Sequence, residues 1–153
     1  MQLYILRHAN ADTEAATDVA RPLSEKGIEQ ARKAAKFCSG HGIRPDVIFS
    51  SPLIRAQQTA KPVAKELGME VTTAPWLASG AKPEPILGEL AALDDPEGVM
   101  LVGHEPDLSK LIGHLLGASD AVNVRKGSLT LLEVSELRKG GGRLEFSIPA
   151  KMM

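Results

Sequence analysis

The run Leu3-Tyr4-Ile5-Leu6 is apolar at every position, which predicts a strand covered on both faces, and it stops at Arg7-His8. From Ser24 the pattern changes to helical spacing, with Ile28, Ala31, Ala35 and Cys38 as the expected apolar stripe and Gly40 and Gly42 as the end. Ser24 is the predicted N-cap of this helix. A second buried strand, Val47-Ile48-Phe49, leads into Ser50-Ser51-Pro52. There Ser51 is expected to cap a helix with Pro52 in its first turn. That helix carries Leu53, Ala56, Ala60, Val63, Ala64 and Leu67 and closes at Gly68, while Pro62 is expected to kink or split it.

Glu70 to Thr73 reads as a weaker strand, followed by a Pro-rich stretch and a helix through Ile86, Leu87, Leu90 and Leu93. Val99 to Val102 is another buried strand, ended by Gly103-His104-Glu105-Pro106. Asp107 is expected to cap an amphipathic helix with Leu108, Leu111, Ile112, Leu115 and Leu116 on one side. Leu129 to Val134 and Arg143 to Ile148 read as two strands joined through Gly140-Gly141-Gly142. In the last strand Leu144, Phe146 and Ile148 alternate with Arg143, Glu145 and Ser147, which predicts a single apolar face at a sheet edge. Strands alternating with helices predict a single α/β domain over residues 1–153. It is a three-layer sandwich, with a mostly parallel sheet, helices on both faces and an antiparallel C-terminal edge.

Composition narrows the function classes. The formal charge of −1 supplies no global field for nucleic acid or an anionic membrane, and one tryptophan, one tyrosine and three phenylalanines leave little for base stacking. Neither nucleic acid nor a membrane is an expected partner. A single cysteine excludes an internal disulfide, no apolar run is long enough to span a bilayer, and a cytoplasmic location is expected.

Open parallel sheets bind ligands beyond the carboxyl ends of their strands. Here those ends deliver Arg7-His8, then Ser50-Ser51-Pro52 with Arg55 one helical turn on, then Gly103-His104. Guanidinium groups match the oxygens of a phosphoryl group, and a helix start adds partial positive charge. A neutral imidazole can attack phosphorus, and a second can donate to the oxygens that gain charge, so the expected chemistry is phosphoryl transfer. His41, between Gly40 and Gly42, and His114 are expected at the surface. Cys38 and Arg44 have the spacing of a cysteine-dependent phosphatase loop in the wrong order: the cysteine lies at a helix end, and a strand follows the arginine. Cys38 is therefore read as core.

Leu6-Arg7-His8-Ala9, the block from Ser50 to Thr59 and Val102-Gly103-His104-Glu105-Pro106 resemble the three signature segments of the histidine phosphatase superfamily. The short chain and Arg21-Pro22-Leu23-Ser24 make it most similar to the SixA-type phosphohistidine phosphatases. The resemblance implies a phosphoglycerate mutase-like fold with His8 as the phospho-accepting nucleophile. It further implies Arg7, Arg55 and His104 as phosphoryl-binding catalytic groups, Arg21 as a loop cation or a third phosphate contact, and no metal or other cofactor. Ala9 stands where many members carry glycine, so a positive φ would be harder to reach there.

Larger members take a general acid from an insertion that this chain lacks. Glu84 is the leading candidate by position, ahead of Glu105 and Asp18. A phosphorylated imidazole can be protonated on its other nitrogen near neutral pH, whereas an ester needs a proton from the enzyme. The substrate expected from the resemblance is therefore phosphohistidine on a signalling or phosphotransfer protein. The alternatives are a phosphatase of small esters that uses Glu84 and a non-catalytic module that holds a phosphorylated partner.

Overall fold

The computed structural model describes all residues, 1–153. Its strands are β1 (Gln2–Arg7), β2 (Val47–Ser50), β3 (Val71–Thr73), β4 (Gly98–Gly103), β5 (Leu129–Val134) and β6 (Gly142–Ile148). The helices are α1 (Glu25–Gly40), α2 (Ile54–Leu67), α3 (Pro83–Ala91) and α4 (Asp107–Leu116). All strands form one sheet in the order β3-β2-β4-β1-β5-β6. The first four in that order pair in parallel, and β5 and β6 are antiparallel additions at the C-terminal edge.

The chain moves outward from β1 to β2 to β3 and then returns to β4. A crossover of fixed hand places its helix on opposite faces for opposite directions of travel. Accordingly, Ala34, Ala35 and Cys38 of α1 and Ala56, Ala60 and Val63 of α2 share one core with Tyr4 and Leu6. Ile86 and Leu90 of α3 and Leu108, Leu111 and Leu115 of α4 share the other with Leu3 and Ile5. The continuous apolarity of β1 is thus two alternating sets, one for each layer. No helix is long and apolar enough to cross a membrane.

Several local expectations need correction. Ile28 is exposed, and the buried stripe of α1 is Gly27, Ala31, Ala34, Ala35 and Cys38. The register is set by Gly27, because a Cβ there would lie 1.9 Å from the carbonyl oxygen of Asn10. Ser24 does cap α1, accepting from the Gly27 N–H. Pro62 sits inside one continuous α2. That helix starts at Ile54 with Leu53 as N-cap, so Ser51 is left for another contact. Asp107 is the first residue of α4 rather than its cap, and its carboxylate accepts from the N–H groups of Gly80 and Ala81, fixing the loop before α3. In β6 the pairing shifts so that Leu131 faces Phe146 while Leu132 faces Leu144, leaving Glu145 as an extra residue. This bulge turns Leu144 to the opposite face from Phe146, and Leu144 is 40% exposed.

Candidate active site

Arg7 and Gly103 are register partners at the ends of β1 and β4, and Ser50 pairs with Val102. Two hydrogen bonds carry the ladder past the strand ends: His8 N–H donates to the Gly103 carbonyl at 3.0 Å, and Ser51 N–H to the Val102 carbonyl at 2.9 Å. The same strand pairing therefore places His8, Ser51 and His104 side by side. The imidazoles of His8 and His104 lie with centroids 5.2 Å apart and planes tilted by 49°. Both are buried, as is Arg55 at the start of α2.

His8 Nδ1 lies 2.8 Å from the carbonyl oxygen of Ala9. A carbonyl can only accept, so Nδ1 carries the proton and Nε2 keeps its lone pair. Burial, with the nearby charges of Arg55 and Arg7 adding to it, pushes the His8 imidazole down to about 3. His104 is pushed down to about 4, first by burial and then by Arg55. Both rings are neutral at physiological pH. His104 Nε2 is 2.6 Å from Ser51 Oγ. Thr59 Oγ1 accepts from the Ala9 N–H at 3.0 Å and donates to the Arg55 carbonyl at 2.8 Å, tying the first motif to α2.

Arg7 donates from one terminal nitrogen to the Val124 carbonyl at 2.9 Å. Arg55 donates to the Asp18 carbonyl at 2.8 Å and to its carboxylate at 3.3 Å. Arg7 Nε, Arg55 Nε and His104 Nδ1 are buried without a hydrogen-bond partner. Unpaired buried polar atoms are costly, so three gathered around two arginines mark a place built for an anion with oxygen acceptors. No cluster of three or more His, Cys, Asp or Glu side chains is placed to hold a metal ion.

The structure brings together Arg7, His8, Arg55 and His104. Arg21 stands outside them: it donates to the Asp12 carbonyl at 2.8 Å and to the Asp18 carboxylate at 3.2 Å, and reaches Arg55 only through Asp18. Glu84 is exposed at the start of α3, in a groove with Glu105, Pro106 and His114 that none of the four central residues lines. Glu105 accepts from the Ser109 N–H and hydroxyl, holding the first turn of α4. Ala9 is not among the residues with positive φ; it is buried against Leu23 and Ala31, so its methyl group is accommodated without strain. Cys38 is fully buried, and burial pushes its thiol up to about 12, which suits packing rather than nucleophilic attack. Sequence reasoning missed the site roles of Ser51 and Thr59. The signals for Thr59 were its place at the end of the second motif block and its position one helical turn after Arg55.

The family model described as histidine phosphatase superfamily (branch 1) matches residues 3–81. The phosphohistidine phosphatase SixA of Escherichia coli (strain K12) is 30% identical over 120 residues, covering 75% of this chain and 74% of that protein. The SixA homolog of Haemophilus influenzae is 25% identical over 143 residues, covering 86% of this chain and 87% of its own. Among solved structures, that of a protein histidine phosphatase SixA complexed with tungstate superposes with a TM-score of 0.89 at 24% identity, covering 99% of this chain and 98% of the other. With its motif residues on adjacent strand ends and its relatives aligned over most of their length, the chain belongs to the histidine phosphatase superfamily and is a phosphatase.

Proposed function

We propose that the protein hydrolyses phosphohistidine on a protein substrate through a phospho-His8 intermediate. The observation that carries this reading is the hydrogen bond from His8 Nδ1 to the Ala9 carbonyl, which leaves Nε2 as the free nucleophile. In the first step the Nε2 lone pair forms a bond to phosphorus as the P–N bond of the substrate breaks. The departing imidazole keeps the proton already on its other nitrogen, so the enzyme need not supply one.

Phosphorylated at Nε2 and protonated at Nδ1, the His8 ring is cationic and a good leaving group. Water then attacks phosphorus, the P–N bond breaks, and inorganic phosphate leaves with neutral His8 restored. Arg7 and Arg55 bind the phosphoryl oxygens, and His104 donates to the charge that develops. Positioning plus fixed positive charge is what phosphoryl transfer demands of a protein.

The carboxylates also support phosphohistidine over an ester. Neither His8 nor His104 hydrogen-bonds a carboxylate; Asp18 is held by two arginines, Glu105 is engaged by Ser109 and Glu84 lies in a separate groove. The decisive experiment treats the protein with a phosphohistidine protein, quenches, and analyses the enzyme. Acid-labile, alkali-stable phosphate on His8, absent in His8→Ala, is expected. Equal phosphate release by His8→Ala would overturn the mechanism, and activity on small esters lost in Glu84→Gln would favour an esterase.

A further inference from the structure

Beside Arg7 runs a cleft of about 490 Å³ lined by Lys26, Arg125, Lys126 and Lys151 and by no acidic residue. These cations come from distant parts of the chain: α1, the loop before β5 and the C-terminal turn. All four are exposed. None takes part in an ion pair, although Arg21, Arg32, Arg55, Arg138, Arg143 and Lys36 all do. In a chain of formal charge −1, four unpaired cations beside an arginine of the site are a concentrated local field.

The cleft is joined to the site and extends beyond it. Arg7 lines it and also holds its wall through the Val124 carbonyl. An adjoining hollow shares Asn123, Arg125, Pro149 and Lys151 with it and is lined by Ser128, which is 1% exposed and whose Oγ is buried without a partner. Exposed side chains spread along an open surface suit an extended acidic face, because a small anion would be enclosed on too few sides.

We propose that this cleft docks an acidic face of the protein whose phosphohistidine enters the site, an inference that rests on the substrate reading above. Docking would present the phosphoryl group to Arg7 and raise the encounter rate with acidic partners, so the four exposed cations set substrate choice without taking part in the chemistry.

The test compares free phosphohistidine with two phosphohistidine peptides that differ only in acidic or basic flanks. The wild-type kcat/KM is expected to be roughly tenfold higher for the acidic peptide at low salt and to lose that advantage as sodium chloride is added. The variant K26S/R125S/K126S/K151S is expected to lose the preference while hydrolysing free phosphohistidine at the wild-type rate. Equal rates on both peptides in wild type, a preference that survives in the variant, or an equal loss on free phosphohistidine overturns the proposal. So does competition by pyrophosphate that is as strong as that by the acidic peptide and is lost with the four serines, which would make the cleft a small-anion site.

If wild type hydrolyses none of these probes, the substrate reading fails and binding decides the docking surface. In the His8→Ala background, tighter fluorescence-anisotropy binding of the unphosphorylated acidic peptide, lost with the four serines, supports the cleft. Equal affinity for the two peptides overturns it.

Discussion

Asp18 holds Arg55 with both its main chain and its side chain, and the same carboxylate bridges to Arg21. The Arg21 hydrogen bond, with Arg55 adding to it, keeps the Asp18 carboxyl below its usual range, so it remains an anion. On the proposed mechanism, an incoming phosphoryl group would compete with this anion for Arg55. Asp18→Asn is therefore expected to lower KM for a phosphorylated substrate by about twofold to fivefold with kcat unchanged, the range of an exposed ion pair. Steady-state kinetics check this, and a higher KM would show instead that Asp18 helps to position Arg55.

The pH dependence follows from the buried histidines. Both have folded pKa values depressed below the ordinary value of about 6.5, His8 to about 3 and His104 to about 4. Their contribution to stability is fully present above the unfolded pKa. Below it the unfolded chain takes up protons that the folded one refuses, so stability falls as pH drops from about 6.5 toward the folded values. The slope is at most about 1.4 kcal/mol per pH unit for each histidine. Urea unfolding between pH 7 and 4.5 measures it, and His8→Asn/His104→Asn is expected to flatten it.

Ser51 orients His104 through the 2.6 Å contact between Oγ and Nε2. Ser51→Ala leaves that ring nitrogen without its partner, and kcat is expected to fall about tenfold, the cost of one buried polar group left unpaired. Ser51→Thr keeps the hydroxyl and should recover most of the loss. An unchanged kcat in the alanine variant would remove Ser51 from the site.

Gly27 allows α1 to lie against the backbone of Asn10, two residues beyond His8. Because a Cβ at residue 27 would sit 1.9 Å from the Asn10 oxygen, Gly27→Ala must displace either the helix or the first motif. A loss of about 3 kcal/mol in denaturant unfolding is expected, together with reduced kcat/KM. Full stability and activity would mean that the contact relaxes easily.

The elements and the gathering of the candidates Arg7, His8, Arg55 and His104 were legible because their signals are local. Continuous apolar runs marked the strands buried on both faces, and their abrupt ends exposed Arg7-His8 and Gly103-His104 as candidates. The misplaced features depend on neighbours distant in sequence. Ile28 fits a helical stripe as well as Gly27 does until Asn10 is brought alongside. The alternation of Leu144 with Phe146 promises one face until the bulge opposite Leu131 and Leu132 divides it. Pro62 breaks a propensity rule, yet the packing of α2 on the sheet and on α1 keeps the helix whole.

By itself the sequence determined the strands, the helices and the residues at their ends, since periodicity records which side of each segment is kept from water. Tertiary structure decided what those residues can do. Strand register set His8 beside His104, the Ala9 carbonyl selected the His8 tautomer, and the loop paths brought Asp18 to Arg55. Those loop paths also collected Lys26, Arg125, Lys126 and Lys151 beside Arg7, concentrating charge that a total of −1 conceals. Such contacts join segments far apart in the chain and leave no periodic mark in it, so only the folded geometry contains them.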